Sequence, residues 1–170
     1  MGYECYTKGE GERMSKKQTK SVVMPDQTSH GITVSIHNDG ASEYVELENL
    51  SSASQPLAGW VLASLSGGQL FDLPDIVLDP GQVVRFHSGS DAVHQPPRDY
   101  ILTKENVWSN RADSAILFDV DGYEVSRDMH GAVTTNKPKV LIEEENGKRY
   151  MEDAGVPDRD RPGPDVDSHT

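Results

Sequence analysis

Residues 43–62 read EYVELENLSSASQPLAGWVL, and the order of residue types in this stretch decides the fold. Its first seven residues alternate polar and apolar side chains, which is the period of a half-buried β-strand. A polar segment follows, and Gly59-Trp60 then opens a second apolar run. The stretch therefore predicts two strands joined by a surface loop, with either Val45 and Leu47 or Tyr44 facing the core. The carboxylates of the first strand are expected to line its solvent side.

The same pattern continues through the central part of the chain. Further short apolar runs are ITVSIHN, QVVRFHS, SAILFDV and YEVSRDM, and the turn signals between runs are Asn38-Asp39-Gly40, Ser66-Gly67-Gly68, Asp79-Pro80-Gly81 and Asp121-Gly122. No helical period of any length occurs between residues 30 and 133. Six or more short strands without crossover helices predict an all-β fold, an antiparallel β-sandwich.

The composition changes on both sides of this region. Residues 1–27 mix Lys, Gly, Glu, Ser and Gln with little periodicity and are predicted to form a flexible N-terminal arm before a sandwich at 28–133. Residues 134–152 contain KVLIEEENGKRYMED, in which Asn146-Gly147 is a type I′ turn signal, so a β-hairpin extension is expected. It either adds to a sheet edge or stands alone. Residues 153–170 are rich in Pro and Asp and are predicted to be a disordered acidic tail.

The negative charge is concentrated in the predicted sandwich. The chain carries a net charge of −12, and residues 28–133 hold five Lys or Arg against fifteen Asp or Glu. Such a surface repels phosphate, so the domain itself is not expected to bind nucleic acid, although Lys16, Lys17 and Lys20 of the arm could contact phosphate weakly. Sixteen Asp, and a single lysine, Lys104, within 28–133, fit the high-salt cytoplasm of a halophilic archaeon, and they equally fit an ordinary acidic cytosolic protein.

Cysteine content and hydropathy favour a cytoplasmic location without membrane contact. Cys5 is the only cysteine, which excludes an internal disulfide and a cysteine-based metal cluster. No apolar run approaches the roughly 20 residues needed to span a bilayer, and the start of the chain lacks the apolar core of a secretory signal.

The residue patterns do not indicate catalysis, a cofactor or a metal. DVDG at 119–122, with Asp128, matches four positions of a calcium loop, but Leu117 stands at the first ligand position, so a hairpin turn is expected. The histidines at 30, 37, 87, 94, 130 and 169 show no close pairing. Glu46 and Glu48 share a strand face with Tyr44, which indicates a solvated face and not an acid–base pair with Glu43. No nucleophile elbow or phosphate-binding loop occurs. We therefore expect a protein that is not an enzyme.

Five segments follow one another in a specific order: EYVELEN; Leu57 with Gly59-Trp60 and Leu62; FDLPDIVLDPG; VVRFHSG; and VWSNRADSAILFDVDG. Together they resemble the lamin tail domain, an immunoglobulin-like β-sandwich found at the end of nuclear lamins and in assorted bacterial and archaeal proteins. The resemblance covers roughly 28–133, and no heptad-repeat rod accompanies it. It therefore points to a stand-alone, prokaryotic-type member of the family without a filament-forming role.

The resemblance implies that the matching positions act as framework. In physical terms, Asn49 can bond the local backbone at a strand end, Trp60 supplies a large core side chain, and Asp113 can accept backbone N–H groups before a buried strand. The expected framework residues are Asn49, Gly59, Trp60, Pro80, Gly81, Trp108, Asn110, Asp113 and Gly122.

Architecture and family resemblance together predict a non-enzymatic module that binds an unidentified protein partner through loops or a sheet edge. The long loop 88–106 is the expected contact surface, through Arg98, Tyr100 and Lys104, and removing the side chains of Arg98 and Tyr100 is expected to cost little stability. Two alternatives stay open: a nucleic-acid-associated accessory domain, and a metal-binding accessory to a separately encoded hydrolase.

Overall fold

All regular secondary structure in the described residues is β-strand, as the sequence predicts. The structure, a computed structural model, describes residues 31–38, 42–132 and 137–154. The strands are β1 (Ile32–Asn38), β2 (Glu43–Asn49), β3 (Gln55–Pro56), β4 (Val61–Ser64), β5 (Leu70–Asp72), β6 (Val77–Leu78), β7 (Val83–Ser88), β8 (Asp99–Ile101), β9 (Ala112–Phe118), β10 (Glu124–Gly131), β11 (Lys139–Glu143) and β12 (Arg149–Asp153).

Several predictions concern residues outside this range. They are the arm at 1–27 with its lysines, Cys5, His30, the Asp39-Gly40 part of the first turn, and the tail beyond residue 154 with His169. The boundaries proposed for the arm, the sandwich and the tail stay predictions.

Two four-stranded sheets form an immunoglobulin-like sandwich, which confirms the predicted fold class. One sheet has the order β1-β2-β7-β8 and the other β10-β9-β4-β5, with β3 and β6 pairing as a short ribbon. All pairs between neighbouring strands in the two sheets are antiparallel except β7 with β8, which is parallel. The segment 88–106 therefore contains an edge strand, which the prediction of a single long loop missed.

The alternation in β2 places Val45 and Leu47 in the core and Tyr44 on the outer face. Val45 and Leu47 are fully buried, whereas Tyr44 is half-buried on the other side of the strand. The largest fully buried aromatic side chains between the sheets are Trp108 and Phe86. Burial of this apolar surface supplies the main stabilising free energy of the sandwich.

The two central strands of the second sheet, β4 and β9, are buried on both faces. Every residue of β4 is buried, and so are the six residues of β9 after Ala112. On the face away from the core, Val61, Ile116 and Phe118 form a second apolar cluster, against which Leu141 and Met151 of the β11–β12 hairpin pack. The hairpin therefore forms a third layer, which explains why the SAILF segment reads as a continuous apolar run without alternation.

Backbone contacts to the turn before β10 hold the hairpin in place. Leu141 N donates to Gly122 O at 2.8 Å, and Tyr123 bridges to Val140. Gly122 has φ 80°, and a Cβ there would lie 2.7 Å from Leu141 O. Any other residue would strain the backbone and push the hairpin away, so this position requires glycine.

An ion pair fastens the far end of the hairpin to β5. Arg149 donates two hydrogen bonds to the Asp72 carboxylate, at 2.6 and 3.0 Å. These bonds lower the pKa of Asp72 from its ordinary value of 3.8. The small contribution of this exposed pair to stability is thus present above pH 3.8 and is lost as the pH falls through the lowered pKa.

We predict that Leu141→Ala lowers the free energy of unfolding by about 1–2 kcal/mol, because Leu141 faces the apolar sheet. Ile142→Ala is the matched control, since Ile142 points to the opposite side of the same strand and should lose no more than about a third of that amount. Urea denaturation of the two variants measures the difference. Equal losses would show that the hairpin does not cover this sheet.

Candidate functional site

Asn49 is fully buried, and every hydrogen-bonding position of its amide is used. Its Nδ2 donates to Ala53 O at 2.8 Å and to Leu78 O at 2.7 Å. Its Oδ1 accepts from Ser51 N at 2.9 Å and from Ser51 Oγ at 2.7 Å. The Asn49 backbone adds two bonds, one from its N to Gln82 O and one to its O from Gly81 N. The side chain of Asn49 therefore joins the loop after β2 to β6, and its backbone joins the end of β2 to the turn before β7.

Glu43 is buried on the inner side of the same strand. Its Oε2 accepts from Ser88 Oγ at 2.9 Å and from Val107 N at 3.0 Å, and Trp108 N lies 3.5 Å away. The Trp108 O in turn accepts from Asn38 Nδ2 at 3.0 Å. The expectation that the carboxylates of this strand line the solvent side is wrong for Glu43, because the two-residue period places it on the face of Val45. Its role is to hold the crossover segment before β9.

Asp113 occupies a comparable position in the other sheet. It is 1% exposed, and its two carboxylate oxygens accept from Ser64 Oγ at 2.8 Å and from three backbone amides. The backbone donors are Ser66 N, Ser109 N and Ser114 N, at 2.7–3.1 Å. No cation in the described residues is paired with it, so these hydrogen bonds alone offset the cost of burying the charge.

The remaining framework positions lie at turns and corners. Gly59 and Gly81 have positive φ, and Gln82 N closes the 79–82 turn by donating to Asp79 O at 2.9 Å across Pro80 and Gly81. Trp60 is 2% exposed in the core cluster. Asn110 is exposed at the corner before β9, where Ser109 Oγ accepts from Arg111 N and Ala112 N.

The acidic motif at 119–122 forms the turn between β9 and β10. Asp119 Oδ1 accepts from Asp121 N at 2.9 Å and from Tyr123 N at 3.0 Å. Asp128 lies elsewhere, with its Oδ2 accepting from Ile36 N of β1 at 2.8 Å. Within residues 31–38, 42–132 and 137–154, no group of three or more His, Cys, Asp or Glu could hold a metal ion.

Aromatic and charged side chains cover the outer face of the first sheet. The His37 and Tyr44 rings stack with centroids 4.5 Å apart, and His87 lies on the other side at 5.3 Å. The Arg85 guanidinium lies 5.1 Å from the Tyr44 ring centroid and bonds Glu46 Oε2 at 2.9 Å. This hydrogen bond to Glu46 raises the pKa of Arg85. The contacts join neighbouring strands and are therefore structural.

The two edge strands of the first sheet, β1 and β8, differ in how far other parts of the domain cover them. On one side, β1 packs against β10, and the Asp128 carboxylate accepts from the backbone of β1. On the other side, the first sheet ends in the three-residue strand β8, which is held to β7 by parallel pairing and by His87 Nε2 and Asp99 Oδ1, 2.7 Å apart. The β8 edge is thus the more open side of the first sheet.

A cavity of about 430 Å³ lies beside this edge, and we call it the β8 groove. Its lining residues come from β6 and the residue before it, the 79–82 turn, the start of β7, and β8 with the two residues before it: Ile76, Val77, Leu78, Asp79, Gln82, Val83, Val84, Pro97, Arg98 and Tyr100. Most of these side chains are apolar, and Val77 is 54% exposed. The volume lies in the range of small-ligand and peptide side-chain sites, about 300–1,000 Å³.

The structure separates the three residues expected to bind a partner. Arg98 and Tyr100 both line the β8 groove, with Arg98 exposed. Lys104 does not line it, and its Nζ donates to Ala92 O at 2.9 Å, which braces the loop. Tyr100 stacks on Phe86 with centroids 5.9 Å apart and packs against the core. We therefore expect replacement of Tyr100 to cost more stability than the sequence analysis predicts, because its ring is part of the packing.

Most of the groove lining escaped the sequence analysis. Val77 and Ile76 were read only as part of the family pattern FDLPDIVLDPG, and nothing local pairs them with Pro97. The signal in the sequence was the apolar pair Ile76-Val77 between turn residues, since an exposed loop does not need two adjacent apolar side chains.

The fold and its buried polar framework define a lamin-type immunoglobulin-like β-sandwich. The chain belongs to the lamin tail domain family, as predicted, because the profile of the Lamin Tail Domain matches residues 21–134. It is similar to Lamin-2 of a Hypsibius species, with 26% identity over 128 residues, covering 71% of this chain and 20% of that protein. The chain thus spans about a fifth of this relative's length.

The match to the family profile ends before the hairpin begins. The β11–β12 hairpin lies beyond residue 134, the last residue matched by the family profile. In the part of the chain that the structure describes, no helix has the length and apolar character needed to cross a membrane.

We predict that Asp113→Asn lowers the free energy of unfolding by about 2–4 kcal/mol. The new amide NH₂ would face one pair of its present donors, either Ser64 Oγ with Ser109 N or the amides of Ser66 and Ser114. Asp75→Asn, at an exposed position, is the control and should change it by less than about 0.5 kcal/mol. Thermal and urea unfolding measure the change in both variants. An unchanged free energy of unfolding in Asp113→Asn would show that Asp113 is not part of the framework.

Proposed function

We propose that this chain is a non-enzymatic protein-interaction module of the lamin tail domain type, and that it binds its partner at the β8 groove. The observation that carries the proposal is an apolar groove with an exposed arginine at the open edge of the first sheet. Family membership supports it, because the tail domains of lamins are interaction modules.

Contacts within the domain cover other surfaces of the sandwich. The β11–β12 hairpin covers the outer face of the second sheet, and β10 packs along β1. The outer face of the first sheet carries ring and ion-pair contacts between its own strands. The β8 groove remains as an apolar concave surface that these contacts leave open.

The buried polar groups support the proposal that the domain is not an enzyme. Glu43, Asn49 and Asp113 are almost completely buried, and their hydrogen bonds go to backbone and serine groups of the same domain. A catalytic carboxylate would need a path to substrate. These three residues instead stabilise loops.

Composition supports two broader proposals, a cytoplasmic location and a protein rather than a nucleic acid as the partner. A single cysteine suits a reducing cytoplasm, and the excess of aspartate over lysine suits high salt as well as an ordinary cytosol. The net charge of the sandwich disfavours phosphate, so we rank protein above nucleic acid as the partner.

We predict that the tagged chain captures a discrete protein from the lysate of its own organism, at the salt concentration of that cell, before and after nuclease treatment. Arg98→Gln should reduce capture about fivefold or more, because the variant loses the cation of the groove. Arg111→Gln, which changes another exposed arginine outside the groove, should capture as much as the unmodified chain.

Two results would contradict this proposal. Capture that vanishes after nuclease treatment would show that nucleic acid recruits the chain. Equal capture by the Arg98→Gln and Arg111→Gln variants would place the contact surface elsewhere on the domain.

A further inference from the structure

Apolar and aromatic side chains make up the larger part of the β8 groove lining, among them Ile76, Val77, Val83, Pro97 and Tyr100. The Asn49 bond to Leu78 O holds the backbone of β6 beside them. Tyr100 is itself held by stacking on Phe86. Such preformed apolar walls gain free energy by taking up an aliphatic side chain without first reorganising.

The backbone at the β8 edge limits how a partner chain can pair with it. Asp99 N donates to Gln95 O at 3.1 Å, and Gln95 N donates to Asp99 O at 2.9 Å. These bonds occupy the outward polar groups of Asp99, at the end of β8 nearest the groove. A full strand added to this edge is therefore blocked there, and recognition must rest mainly on side chains.

The charges at the groove favour a bound peptide with one carboxylate over a peptide with several. Arg98 is exposed, and no hydrogen bond or ion pair engages its guanidinium within the described residues. Asp79 lines the same groove and accepts from Ser54 Oγ at 2.6 Å. A single carboxylate can therefore meet Arg98, whereas a run of acidic residues would also meet Asp79 and the negative charge of the domain.

We infer that the β8 groove binds an extended peptide of another protein in which one aliphatic side chain stands next to a single acidic side chain. This inference rests on the proposed interaction function and deepens it. The aliphatic side chain enters between Val77 and Tyr100, and the carboxylate accepts from the Arg98 guanidinium.

The experiment titrates three blocked hexapeptides, GSLDSG, GSLNSG and GSADSG, into the full ¹⁵N-labelled chain and follows amide chemical shifts. GSLDSG should shift the amides of residues 76–84 and 98–101 and bind about fivefold more tightly than either of the other two. In the Arg98→Gln chain, GSLDSG and GSLNSG should bind alike, and an Arg98→Lys chain should regain part of the difference.

Equal binding of GSLDSG and GSLNSG to the unmodified chain would overturn the inference, as would shifts confined to other surfaces. Two other occupants of the groove would also overturn it. A second copy of the chain would make the groove amides depend on protein concentration before peptide is added. If the chain's own residues 1–30 were the occupant, adding GSLDSG to the unmodified chain would shift the amides of residues 1–30 together with those of the groove.

Failure of this inference is distinguishable from failure of the proposed function. If no peptide binds while the Arg98→Gln chain still captures a nuclease-resistant protein partner, the interaction function stands and the groove loses its role. If neither peptide nor protein binds, the proposed function fails as well.

Discussion

The buried amide of Asn49 is the constraint on which much of this domain depends. A primary amide loses free energy on burial unless both donors and both acceptor positions find partners. Here Ala53 O, Leu78 O and the two polar groups of Ser51 satisfy all four. The same residue therefore sets the loop after β2 and the position of β6. β6 and the turn beyond it contribute residues to the β8 groove, so Asn49 positions this part of the groove lining.

The buried carboxylates of the framework and the arginine proposed to contact a partner are different residues in this domain. Glu43 and Asp113 are buried and bond to amides and serines of their own loops, so they add rigidity and leave no charge for a partner. Arg98 is exposed and lines the groove beside rigid apolar walls. A contact residue can change in such an arrangement without loosening the loops that position it.

Local patterns predicted the parts of the fold that depend on neighbouring residues. Alternation in EYVELEN identified β2, and an Asp before an apolar run identified Asp113 as an acceptor of backbone bonds. The same alternation contained a missed signal, since it places Glu43 with Val45 on the inner face. The donors that make this tolerable, Val107 N and Trp108 N, lie 64 and 65 residues away, beyond what a local pattern can show.

Long-range pairing decided the remaining features. The parallel alignment of β8 with β7 and the burial of β9 under the β11–β12 hairpin depend on segments far apart in the chain. The groove is similar, because Val77 and Pro97 become neighbours only after both sheets form. Loop length led to the prediction that Arg98 and Tyr100 contact a partner, and this stays a prediction. The core packing of Tyr100 could not be read from the sequence.

The central claim is that the β8 groove is the surface that contacts a partner protein, and site-specific photo-crosslinking tests it most directly. A benzophenone side chain would replace Val77, which is 54% exposed at the groove, or Val120, which is 64% exposed at the turn before β10. We expect a protein partner to crosslink through position 77 and not through position 120. Crosslinking through position 120 with none through position 77 would contradict the claim.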